Sequence, residues 1–150
     1  MGGALISPVS EEDVGWNLYL HVIDENPHLL IIFMGGNNLE ADHETGHDTG
    51  RMLCEVAEHF HKLGIPTFIV DIPTRTKCCS KHVRHYKVNV LEANLQILQR
   101  VRTGRGIVLP IQHLEDCLID GVHFNEIGYQ TIFTDINNKL VEIHSFNTMA

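Results

Sequence analysis

The sequence has no apolar run near the ~18–20 residues that a membrane-spanning helix requires. Its opening residues, Met1, Gly2 and Gly3, also lack the basic, apolar and small-residue order of a secretory leader. The expectation is a cytoplasmic protein with no membrane insertion. Cysteine is scarce: Cys54, Cys78, Cys79 and Cys117 are too few and too irregular for a disulfide framework, so reduced thiols are expected. Positive charge is scarce as well. Eleven Lys and Arg face nineteen Asp and Glu, and the formal charge of −8 repels nucleic acid and anionic surfaces, which argues against general nucleic-acid binding. Serine is limited to Ser7, Ser10, Ser80 and Ser145. What the 150 residues do contain is 43% apolar and 20% charged side chains, the balance of one globular domain spanning 1–150.

Hydrophobic period and punctuation give the order of elements. Ser10 followed by Asp13 resembles a capping box, and Val14, Leu18 and Val22 recur at helical spacing until Asn26 and Pro27 stop them. The unbroken run Leu29 to Met34 has the length and character of a strand buried on both faces, the signature of a parallel sheet covered by helices. Met52, Leu53, Val56, Ala57 and Phe60 mark a second helix closing at Gly64, and Pro66 leads into the strand Thr67 to Val70. Val83, Tyr86, Val90, Ala93, Ile97 and Val101 share one face of a long third helix. Gly104 and Gly106 end it before the strand Ile107 to Leu109, and a last helix follows Asn125. This alternation predicts an α/β chain folded as a three-layer α/β/α sandwich with right-handed crossovers.

In open parallel sheets the chemistry sits in loops beyond the carboxyl ends of the strands. Two such loops stand out: Gly35-Gly36-Asn37-Asn38 after the first strand, and Asp120-Gly121-Val122-His123-Phe124-Asn125 before the last helix. Here the chain resembles the SGNH, or GDSL-type, hydrolases. Gly35 to Asn37 is similar to their third block and Asp120-x-x-His123 to their fifth, and the likeness is best over 29–38 and 120–129. The resemblance implies a flavodoxin-like parallel sheet, a small-molecule ester as substrate and no cofactor or metal. It implies His123 as general base with Asp120 as its orienting partner, because a three-residue spacing lets the carboxylate hold one ring nitrogen while the other faces the reacting centre. Asn37 would aim its amide at the developing oxyanion, a contribution of roughly 3–4 kcal/mol to the barrier. Gly3, placed before a helix as in the family's second block, would add a backbone N–H to the same oxyanion.

The departures are as informative. The family's first block, a strand ending in Gly-Asp-Ser with the nucleophile, does not occur in this sequence. None of the four serines follows an apolar strand, and Ser7, nearest to Gly3, is followed by Pro8 and a helix, a context for a loop or cap. Asn38 stands where the family has Asp. If the likeness begins at the family's second block, the resemblance implies a truncated domain keeping about three strands of the sheet. The strand Leu29–Met34 would then lie at an edge, where uncovered apolar strands pair with other chains. The expectation is a fragment of a larger hydrolase, or a reduced descendant that self-associates or binds a partner through this strand, inactive in isolation.

Three other signals compete. His43-Glu44-x-x-His47 satisfies the zincin pattern, in which two His on one helical face bind zinc and Glu activates water. Leu53 occupies the place of the third His of the long form, and Gly46, Asp42, Asp48 and Gly50 make a polar, poor helix, so the stretch reads as a loop entering the second helix. Cys78, Cys79, His82 and His85 lack the paired, separated spacing of structural zinc modules and read as a solvated helix start. Arg75, Lys77, Lys81, Arg84 and Lys87 form a positive patch, of which Arg75 and Lys77 follow the second strand and border the expected cleft. They favour an anionic substrate or partner, or else form a solvated face. His59 and His61 fall on different helical faces, and no role is expected for them or for His21, His28, His113 and His144. Three functions therefore stand: an ester hydrolase domain without its nucleophile, a binding module that keeps the cleft, and a zinc hydrolase using His43, Glu44 and His47.

Overall fold

Apolar period decides where this chain coils and where it extends, and its caps decide where each element stops. A computed structural model describes residues 14–40, 45–77, 83–102, 107–109 and 115–149. In order these form α1 (Val14–Glu25), β1 (Leu30–Ile32), α2 (Gly36–Glu40), α3 (Gly46–Lys62), β2 (Thr67–Val70), α4 (Val83–Arg102) and β3 (Ile107–Leu109). A turn of 3-10 helix at Glu115–Cys117 and α5 (Glu126–Met149) complete the chain. Gly3, Ser7, Ser10, Ser80, His43, Glu44, Cys78, Cys79, Lys81, His82 and His113 lie outside the described residues.

The ends of α3 show how local sequence sets its bounds. Thr45 takes an extended conformation and its hydroxyl accepts the backbone N–H of Asp48 at 3.1 Å, while the buried side chain of Asn89 accepts the N–H of Gly46 at 3.2 Å. Two of the unpaired N–H groups of the first turn are thereby satisfied. At the other end Gly64 turns left-handed, its N–H donating to the His61 carbonyl and that of Ile65 to the Phe60 carbonyl, both at 3.0 Å. This is a Schellman closure, and it explains why the helix stops at the glycine.

The sheet is parallel, in the order β1-β2-β3, with Leu30 opposite Thr67, Ile32 opposite Ile69, and Val70 opposite Leu109. Alternation along the strands feeds two cores. Ile32 and Ile69 pack with Leu53 and Ala57 of α3 and with Tyr86, Val90, Ala93 and Ile97 of α4. Val70, with the partly buried Ile31, Phe33 and Phe68, packs with Phe124 and with Ile132 and Ile136 of α5. Each fully buried Val, Leu or Ile in these clusters contributes about 1.5–3 kcal/mol. α3 and α4 approach closely because Gly50 faces the α4 backbone, where a Cβ would stand 2.7 Å from the Ala93 carbonyl.

The chain is thus mixed α/β and mostly helical, around a small parallel sheet. β1 is shorter than the expected strand: Leu29 is exposed, and Phe33 and Met34 leave the ladder to line a cleft. Among the described residues β1 pairs only with β2, so it is an edge. The segment Gly35 to Asn38, expected as a loop, enters the short helix α2, held by the Leu39 N–H donating to the Gly35 carbonyl at 3.1 Å, with Asn38 and Leu39 fully buried. Cys54 and Cys117 are free thiols. Among the described residues, no helix is long and apolar enough to cross a membrane.

Candidate functional site

Because the strands are parallel, the segments leaving β1 and β2 emerge on one edge of the sheet, and the loop before α5 meets them there. They enclose a cleft of ≈ 330 Å³, walled by Phe33, Met34, Gly35, Gly36 and Asn37 from the first segment, Pro73 and Arg75 from the second, and Val122, Phe124 and Tyr129 from the third. Polar side-chain groups reach this lining from Asn37, Arg75 and Tyr129, among the apolar Phe33, Met34, Pro73, Val122 and Phe124, a mixture suited to fixing the orientation of a small ligand.

Each wall has an identifiable support. Gly35 sits at φ +123, and a Cβ there would lie 2.7 Å from Ile72 Cδ1, so only glycine lets the chain turn from β1 into α2 at this point. The second segment is clamped by α4. The Asn94 side chain accepts the Ile72 N–H at 2.9 Å and donates to the Ile72 carbonyl at 3.1 Å, and the buried Tyr86 hydroxyl donates to the Pro73 carbonyl at 3.3 Å. Arg75 lies over the Tyr86 ring, 5.4 Å from its centre, and donates through Nη2 to Asn37 Oδ1 at 3.1 Å.

The third wall is built on Asp120. Its Oδ1 accepts the N–H groups of Val122 at 2.9 Å and His123 at 2.7 Å, and its Oδ2 meets His123 Nδ1 at 2.7 Å. An ionised carboxylate only accepts, so Nδ1 carries the proton and Nε2 is the basic nitrogen of the ring. The Asp120 carboxyl is held well below the usual carboxylate range, first by the backbone N–H of His123, then by its ring, then by the Val122 N–H. Gly121, at φ +81, turns the loop so that its carbonyl accepts the N–H of Thr76 at 2.9 Å and of Lys77 at 3.2 Å. The loop closes with Ile119 N–H donating to the His123 carbonyl and Asn125 N–H to that of Cys117, and Asn125 then caps α5 by accepting the Gly128 N–H at 2.9 Å.

The structure therefore brings Asp120 and His123 into direct contact, with His123 flanked by two cleft residues, Val122 and Phe124, and it puts Asn37 on the wall of the same cleft. The imidazole is open to solvent, its side chain 69% exposed. Of the basic patch, Arg75 lines the cleft, Lys77 contributes its backbone N–H to Gly121, and Arg84 is exposed on α4. His47 is exposed near the start of α3, and His85 is exposed on α4. No group of three His, Cys, Asp or Glu among the described residues is placed to hold a metal ion. Two contacts escaped the sequence reading. Tyr129 joins the cleft wall, edge-on to Phe124 and stacked with Phe133, and His59 meets the Tyr19 hydroxyl at 2.9 Å. The four-residue step from Tyr129 to Phe133 carries a helical aromatic signal; the His59 contact joins α1 to α3 and has no local one.

Comparison of the chain with protein-family models and with curated proteins finds no match.

Proposed function

We propose that this chain carries the base, the orienting carboxylate and the oxyanion amide of an SGNH-type ester hydrolase, on a sheet that would form the middle of a three-layer α/β/α sandwich. The observation that carries the reading is the 2.7 Å contact between Asp120 and His123 in a loop whose neighbouring residues share a cleft with Asn37. In an acyl transfer, His123 Nε2 would take a proton from the attacking hydroxyl, Asp120 would stabilise the imidazolium, and Asn37 would donate to the oxygen that becomes negative. Gly3 would supply the second donor. The attacking serine has no counterpart in this sequence, since no Gly-Asp-Ser is present. The chain by itself would bind the acyl group without forming an acyl-enzyme.

Butyrate, a product of short-chain ester hydrolysis, is the simplest probe. Calorimetric titration should show one site that is lost in Asn37→Ala and weakened in His123→Ala, and a nitrophenyl butyrate assay should show no acylation burst. Binding that survives both substitutions would remove the reading. The same reading includes pairing of β1 with a partner or a second copy. Sedimentation should then show concentration-dependent association, and a monomer at all concentrations would oppose it.

A further inference from the structure

We infer that Arg75 is the positioning residue of this site, fixing which end of the Asn37 amide can act as a donor. The inference rests on the hydrolase reading for its catalytic meaning, and on the following contacts for its physical content. A side-chain amide has a carbonyl end and an NH2 end of nearly equal size, and either can face a given neighbour unless that neighbour discriminates between them. Arginine discriminates completely, because its guanidinium has five donors and no acceptor. With Arg75 Nη2 donating to Asn37 Oδ1 at 3.1 Å, the flipped amide would set N–H against N–H. Nδ2 is therefore the end of Asn37 left to donate, on a residue that lines the cleft. The charge of the guanidinium also polarises the amide, which strengthens Nδ2 as a donor.

The position of the guanidinium is itself set by Tyr86 and Gly36. The Tyr86 ring lies beneath it, and Tyr86 is fully buried on α4 with its hydroxyl on the Pro73 carbonyl, two residues before Arg75. Gly36 leaves room for it: a Cβ at that position would lie 2.6 Å from Arg75 Nη2. The close approach of Arg75 to the start of α2 thus depends on a glycine, and the glycine immediately precedes the residue being oriented. Rigidity passes from α4 through Tyr86 to Arg75 and from Arg75 to Asn37, so an amide on a five-residue helix gains the order of a twenty-residue one.

Two substitutions separate donor chemistry from bulk. Arg75→Lys keeps a donor-only group, whereas Arg75→Gln keeps a planar polar side chain that both donates and accepts and so permits both amide orientations. The first readout is the pair of Asn37 Nδ2 proton resonances in each folded protein, without ligand. The second is their response to butyrate. The wild-type and Lys proteins should show one ordered pair, and the Gln protein a displaced or doubled pair with the other backbone resonances kept. Butyrate should bind about tenfold more weakly to the Gln protein, the loss expected of one charge-assisted hydrogen bond, and Lys should recover most of that loss. An unchanged Asn37 pair in Arg75→Gln would overturn the inference. Failure of butyrate to perturb Asn37 or His123 in the wild-type chain would instead count against the hydrolase reading, and the ligand-free spectra would still decide whether Arg75 orients the amide.

Discussion

The carbonyl oxygen of Gly121 accepts the backbone N–H of Thr76 at 2.9 Å, which ties the loop bearing His123 to the segment bearing Arg75. Two stretches about 45 residues apart in the chain become one edge of the cleft through this bond and its neighbour from Lys77. The cleft is held together by backbone, so substitutions that shift these backbones should act on the site before they act on the core.

Gly121→Ala should show this most directly. The residue lies at φ +81, where any side chain is strained, and a Cβ would crowd Lys77 and stand 3.0 Å from Thr76 Oγ1. The expected loss is about 1–2 kcal/mol in urea unfolding from the backbone conformation alone, with faster exchange of the Thr76 and Lys77 amides. Unchanged exchange would mean that the two loops are not coupled.

Acid should loosen the His123 loop late. The hydrogen bonds to Asp120 lower its folded carboxyl below the ordinary unfolded value of about 3.9. A group shifted down contributes order that is complete above the unfolded value and is lost as pH falls toward the folded one. The amides of Val122 and His123 should therefore keep their shifts through the range where an ordinary Asp titrates and move together only below it. Asp120→Asn should abolish this acid transition. A midpoint at the ordinary carboxylate value in the wild-type protein would contradict the geometry.

Asn94→Ala removes both partners of the Ile72 backbone, one donor and one acceptor, and the Ile72 side chain is itself buried. The cost should be about 1–3 kcal/mol for each polar group left unpaired. Because Ile72 also packs against Gly35, the loss should appear as weaker butyrate binding as well as a lower unfolding midpoint. A variant less stable yet binding normally would show that α4 supports the fold without supporting the cleft.

Ile97→Ala and Ile132→Ala probe the two faces of the sheet, since one is buried against α3 and β2 and the other in the cluster that joins α5 to Val70. Each should destabilise by about 2–5 kcal/mol. If the two cores share one cooperative unit, calorimetry should show a single transition lowered by either change. A second transition in Ile132→Ala would mean that α5 melts apart from the rest.

Much of the fold was legible because its signals are local. The spacing of Tyr86, Val90, Ala93 and Ile97 fixed the buried face of α4, and all four are almost fully buried. Gly64 marked the end of α3, and Asn125 the start of α5. The shortness of β1 was not legible, because a continuous apolar run does not distinguish residues that stay in the ladder from Phe33 and Met34, which leave it for the cleft. α2 was hidden for a related reason: glycine and asparagine favour turns locally, and only burial of Leu39 and Asn38 makes a helical turn the better solution.

The sequence by itself determined the alternation of helices and strands, the local caps at Thr45, Gly64 and Asn125, and the contact of Asp120 with His123, since residues three apart in one turn need nothing distant to meet. Only the tertiary structure decided that Arg75 faces Asn37, that Gly121 grips Thr76, and that Tyr129 completes the wall. Those pairings join residues on different elements, and their approach follows from parallel strands delivering their ends to one edge of the sheet, a geometry that no local pattern encodes.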